Sequence, residues 1–104
     1  MEQFDDLRPV ISGTVQPLFA LGYVCVTAEV TRVVPPEEAA NALKRHAAGD
    51  WGDIAEDDRR LNEMALEQGM RLFSSYPLPG GTGHFWIITE EDRSITTILL
   101  PSDY

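Results

Sequence analysis

One cysteine, Cys25, is the whole thiol content of this 104-residue sequence, so no disulfide can form within the chain. A reducing, cytoplasmic setting is expected. Basic residues are also scarce. Eight Lys and Arg stand against 17 Asp and Glu, for a net charge of -9. A phosphate backbone is bound through a basic face, so direct contact with DNA or RNA is not expected. No apolar run approaches the ~20 residues that cross a bilayer, and no membrane partner is expected. The opening, MEQFDDLRP, is acidic and lacks the basic start of a secretory signal. Internal repeats, low-complexity blocks and cofactor fingerprints are missing too, and neither a cofactor nor a metal is expected.

What is present reads as one compact unit. A hydrophobic content of 43% and a charged content of 24% are ordinary for a globular domain. A chain of this length buries roughly two-thirds of its unfolded surface, enough for one core without metal or disulfide support. Pro9, Gly13 and Pro17 break any long element near the start, which reads as an irregular arm or a short edge strand. GYVCVTAEV, Gly22–Val30, opens as a buried strand rich in β-branched residues, with Cys25 as a small buried apolar residue. Thr27 is placed to cap a short helical turn after it.

PPEEAANALKRHAAG is the clearest helix start. Pro36 suits the first turn, Glu37 and Glu38 oppose the positive end of the helix dipole, and Lys44 and Arg45 oppose its negative end. Gly49 fits the left-handed position that ends such a helix. Ala39, Ala42, Leu43 and Ala47 share a face that the core should take. Asp53 and Glu56 have the spacing of a capping box for a second helix, in which Leu61, Met64, Ala65 and Met70 recur at helical spacing and Gly69 ends the element. MRLFSSY, HFWIIT and SITTILL then read as three strands joined by PLPGGTG and EEDR, with HFWIIT central and Pro101 as the stop. The expected fold is α+β in the order β-α-α-β-β-β: an antiparallel sheet of about four strands with two helices on one face.

Three stretches offer chemistry. His46, Asp50 and Asp53 could hold a divalent metal or form an acid/base pair, but the helix ends at Gly49, so they do not share a regular face. The same residues also read as an Asp cap, a histidine at the helix dipole and a Trp51 anchor. The hydroxyls and thiol of Ser74, Ser75, Ser94 and Cys25 sit in no strand-turn-helix elbow, and PGGTG joins two strands, which does not make a phosphate cradle. TEEDRSITT is a compact polar turn in which Asp92 and Arg93 can pair, read either as turn chemistry or as a contact patch.

RHAAGDWGDIAEDDRRLNEMALEQGMRLFSSY followed by FWIITEEDRSITTILLPSDY resembles a family of short bacterial and archaeal proteins found largely on plasmids and in mobile or prophage-like regions. The family pattern is roughly R-H-x-x-G-D-W-G-D, an acidic helix with an Asn, then W-I-I-T-E-x-D-R-S-x-T-T-x-L-L-P-x-x-Y. The resemblance covers about 18–104, taken as a single domain, and leaves 1–17 as an N-terminal extension. Members are often labelled plasmid-related proteins or type I restriction subunits. A chain of 104 residues holds neither a methyltransferase nor an endonuclease domain. The resemblance implies a mobile-element setting, in which small acidic proteins often blunt host defence.

The expected function is therefore a small acidic, non-enzymatic binding protein that inhibits a nucleic-acid-handling defence system, anti-CRISPR or anti-restriction. Its partner would be a protein with a basic nucleic-acid-binding surface. The contact residues expected are Asp50, Asp53, Glu56, Asp57, Asp58, Glu63, Glu67, Glu90, Glu91 and Asp92. No catalytic residue is expected on this reading. The alternative is a small enzyme or ligand-binding domain with His46, Asp50, Asp92 and Arg93 in one pocket. A homodimer through an edge strand is a third possibility.

Overall fold

The computed structural model describes residues 17–104; the segment expected as an N-terminal extension lies, but for Pro17, outside the described residues. The elements follow as β1 (Tyr23–Val26), α1 (Ala28–Val33), α2 (Pro36–Ala47), α3 (Glu56–Gln68), β2 (Leu72–Pro77), β3 (His84–Thr89) and β4 (Ile95–Leu99), closed by a 3-10 turn at Pro101–Asp103. The fold is α+β, in the expected order. The Thr27 side chain accepts from the Val30 amide and caps α1, which makes a short third helix beside the two long ones. None of the helices among the described residues is long and apolar enough to cross a membrane.

The sheet runs β1-β4-β3-β2. β2, β3 and β4 form an antiparallel meander, but β1 pairs with β4 in parallel, so the sheet is mixed rather than antiparallel throughout. Tight turns between β2, β3 and β4 dictate antiparallel neighbours. Between β1 and β4 the chain passes through three helices and two strands, so no turn constrains the direction of β1. Alternation then puts Val24, Ile98, Thr96, Ile87, Thr89, Phe85, Tyr76, Ser74 and Leu72 on one face. Val30 and Val34 of the α1 region and Ala42 and Leu43 of α2 close over Ile98, Ile87, Phe85 and Tyr76 as one buried cluster. Each fully buried aliphatic or aromatic side chain in it is worth roughly 1.5–3 kcal/mol. Trp51, Ala65 and Leu72 form a second cluster with Phe19 and Ile54 against it.

Helix α3 differs from expectation. Leu61 and Met64 are 52% and 45% exposed, Met70 is also exposed, and the buried residues are Asn62 and Ala65. The cause is what α3 packs on. It runs along the free edge of β2, which presents backbone amides and carbonyls rather than an apolar face. The Asn62 carboxamide donates to the Phe73 carbonyl at 2.7 Å and accepts from the Phe73 amide at 3.1 Å. Further along the same edge, Ser75 donates to the Trp51 carbonyl and accepts from the Asp53 amide. The edge is closed by its own chain, a common safeguard against aggregation. Cys25, expected to be buried, is exposed, because its position on β1 faces away from the helices.

Candidate functional site

The R-H-x-x-G-D-W-G-D stretch is the joint that turns α2 into α3. Arg45 in the last turn of α2 reaches the Asp50 carboxylate at 2.8 Å and lies over the Tyr76 ring, 4.7 Å from its centre. That guanidinium bond holds the Asp50 carboxyl below its ordinary range. Tyr76 donates its hydroxyl to the Asp50 carbonyl at 2.6 Å, and burial pushes the phenol up to about 12. Gly52 sits at φ +77°, and a Cβ there would stand 2.2 Å from the Ser75 carbonyl oxygen. Only glycine lets the joint approach β2 closely enough to pair with it.

His46 was expected at the helix dipole; it is instead fully buried and part of a polar relay. Its Nδ1 lies 2.6 Å from Ser74 Oγ and its Nε2 lies 2.9 Å from Thr89 Oγ1. Thr89 Oγ1 is 2.7 Å from Thr96 Oγ1, which donates to the Leu21 carbonyl at 2.7 Å. Counting protons orients the chain. Thr96 spends its hydrogen on a carbonyl, so it accepts from Thr89, and Thr89 accepts from Nε2–H of His46. Nδ1 then carries the lone pair, to which Ser74 donates. The neutral Nε2 tautomer satisfies every partner, whereas burial, helped by the Arg93 charge, lowers the imidazole to about 3. Phe19 and Trp51 box the ring edge-on at 5.2 and 5.6 Å. Ser74 is equally enclosed, so the pair is shielded from any substrate in this arrangement.

Asp53 does not cap α3. The N-cap is Ala55, with no side-chain bond, and the Asp53 carboxylate lies 3.2 Å from His84 Nε2. Its backbone explains this: the Asp53 amide is committed to Ser75, which places the residue two positions before the N-cap.

In the turn between β3 and β4, Asp92 and Arg93 do not pair. Asp92 accepts from the Ser94 amide and hydroxyl, which keeps its carboxyl low. Arg93, at φ +60°, donates to the carbonyls of Ala65, Met70, Glu90 and Glu91. Ala65 lies in the last turn of α3 and Met70 just past it, so this guanidinium satisfies carbonyls at the negative end of the helix dipole. It also lies 5.7 Å from the centre of the Phe19 ring that covers His46. The two sequence motifs therefore converge around Phe19: one brings His46 beneath it, the other brings Arg93 beside it. Asp50 and Asp92 are held elsewhere by Arg45 and Ser94.

The expected contact acids occupy three adjoining places. Asp50 and Asp53 lie on the joint, Glu56, Asp57, Asp58, Glu63 and Glu67 on α3, and Glu90, Glu91 and Asp92 on the turn that Arg93 ties to the end of α3. Arg59 bridges Glu56 and Glu63, and Arg60 adds to Glu56, so both helix arginines are engaged within the helix. Glu90 faces Arg71 at 3.7 Å. Among the described residues no group of three His, Cys, Asp or Glu is arranged to hold a metal ion. The sequence reading missed the Ser74–Thr89–Thr96 relay and the Asn62 clamp. A signal for the relay existed: those three hydroxyls fall on the same alternation parity as the core residues of their strands. Comparison with protein-family models, with curated proteins and with solved structures gives no match.

Proposed function

We propose that this chain is a small acidic binding protein of a mobile element that acts in the cytoplasm by occupying the basic surface of a host nucleic-acid-handling defence complex, of the CRISPR or restriction kind. The observation that carries the reading is the outer face of α3 with its two flanks. From Asp50 to Glu67 seven carboxylates stand against Arg59 and Arg60, and both arginines are engaged by Glu56 and Glu63. Asp57 and Glu67 are exposed on that helix, with Glu91 and Asp92 on the turn beyond its end. Such a face steers association with a cationic groove and loses strength as salt screens it. Binding rather than catalysis also fits the candidate residues: His46 is enclosed, and Asp50 and Asp92 are committed to Arg45 and Ser94.

The test is DNA-target binding by purified CRISPR effector and type I restriction complexes, with and without this protein. Inhibition that fades between low and physiological salt, and is lost in an Asp57→Lys/Asp58→Lys variant of unchanged melting profile, supports the reading. Inhibition untouched by that reversal removes the charge mechanism. No effect on any complex removes the proposal.

A further inference from the structure

The two edges of the sheet are treated differently. β2 is closed by Asn62 and by the Trp51–Asp53 backbone, whereas among the described residues β1 pairs only with β4. Tyr23 and Thr27 donate their amides to Ser94 and Ile98, on the β4 side. Alternation therefore turns the amides and carbonyls of Val24 and Val26 outward. β1 is short, at four residues, but no charged residue, proline or bulge lies between Gly22 and Ala28, and among the described residues nothing pairs with its outer side. Apolar side chains remain exposed beside it, with Tyr23 67%, Val33 46% and Val26 42% accessible. An apolar cleft of about 240 Å³ runs along the inner side, lined by Val24, Val26, Val34, Ala39 and Leu43 among others.

We propose that β1 is the strand through which two copies of this chain associate, antiparallel, on a two-fold axis at Cys25. The argument is self-complementarity. Exactly one residue separates the two outward-facing valines, so on that axis Val24 of each copy opposes Val26 of the other, and all four outward groups of each strand are used with none left over. A chain of net charge -9 repels its own copy, but the β1 strand is neutral, and of the acids beside it Asp103 accepts from the Thr27 hydroxyl while Glu29 lies in α1. The register has a covalent consequence. Cys25 then faces Cys25 of the second copy as a non-hydrogen-bonded pair, with Cα atoms ~4.5 Å apart. That separation is within the ~4.4–6.8 Å a disulfide needs. This surface is distinct from the acidic one, and the inference does not rest on the functional proposal.

The full chain is examined by light scattering after size exclusion, by mild oxidation with diamide and by amide exchange. A dimer of twice the 11.6 kDa chain mass is expected, cross-linked by diamide through Cys25 and not in Cys25→Ser. Val26→Lys, and independently Tyr23→Lys, should return it to monomer with an unchanged circular-dichroism spectrum. A monomer at 100 µM overturns the proposal, and a monomer with protected Val24 and Val26 amides assigns the edge to another occupant. A dimer that diamide does not cross-link overturns the register and with it the proposal.

Discussion

Replacing Asn62 by Leu isolates the clamp on which the α3–β2 contact depends. The carboxamide makes two bonds to one backbone position, 2.7 Å to the Phe73 carbonyl and 3.1 Å from the Phe73 amide, and the side chain is almost fully buried. Leucine fits the volume but leaves both backbone groups unpaired beneath the helix, at about 1–3 kcal/mol each. Part of that is offset by the added apolar burial, which leaves a net loss of about 2–4 kcal/mol. At about 4–8 °C per kcal/mol for a domain of this size, the melting temperature should fall by roughly 10–25 °C. Urea unfolding followed by Trp51 and Trp86 fluorescence measures it directly. Asn62→Asp sharpens the reasoning. Its carboxylate still accepts from the Phe73 amide but faces the Phe73 carbonyl with a second acceptor. It should therefore be destabilised at neutral pH and approach wild type, compared at the same pH, as the acid is protonated and regains a donor. Leu61→Ala, one residue away and exposed, should cost little. An Asn62→Leu protein within 0.5 kcal/mol of wild type would show that the edge is not held this way.

Three further outcomes follow from the same contacts. The buried His46 has a folded value of about 3 against an ordinary 6.5, so below pH 6.5 the unfolded chain takes up a proton that the folded chain refuses. Stability should be flat above that value and fall by about 1.4 kcal/mol per unit down to about pH 4.5, before the carboxylates contribute; a His46→Gln protein, whatever its baseline, should lack the slope in this window. Arg93→Met removes a guanidinium bonded to four carbonyls and should cost about 2–3 kcal/mol in urea unfolding, with faster amide exchange at the end of α3; unchanged exchange there would refute the capping role. Gly52→Ala and Gly69→Ala both place a Cβ at positive φ, but only the first meets a backbone oxygen at 2.2 Å, the second meeting nothing within 4 Å. Gly69→Ala should cost about 1 kcal/mol and Gly52→Ala far more, read as melting temperature and soluble yield.

The elements were legible where local chemistry decides them. Pro36, the paired glutamates and Gly49 bound α2 correctly, and the bounds of β3 match its apolar run residue for residue. What escaped was non-local. Nothing in GYVCVTAEV states that β1 pairs in parallel with the last strand, because that partner arrives about 70 residues later. Helical spacing gave Leu61 and Met64 to the core on the assumption of an apolar partner surface. The partner is a strand edge, and an edge selects an amide at Asn62. The R-H-x-x-G-D-W-G-D stretch was readable as a structural joint, but His46 was assigned to the helix end because its hydroxyl partners lie 28 and 43 residues away. The role of Arg93 was hidden for a related reason. Its nearest opposite charge in sequence is Asp92, yet its ligands are carbonyls, which no residue pattern displays.

The acidic surface around α3 is the proposed meeting place of this chain with a basic partner. Nitrogen–proton correlation spectra of the labelled chain, titrated with a nucleic-acid-free CRISPR or restriction complex, test that proposal most directly. Shifts and line broadening should concentrate on Asp50–Glu67 and Glu90–Asp92 and disappear when salt is raised. Changes confined to the Arg45–Tyr76 surface or to β1, or binding indifferent to salt, would contradict it.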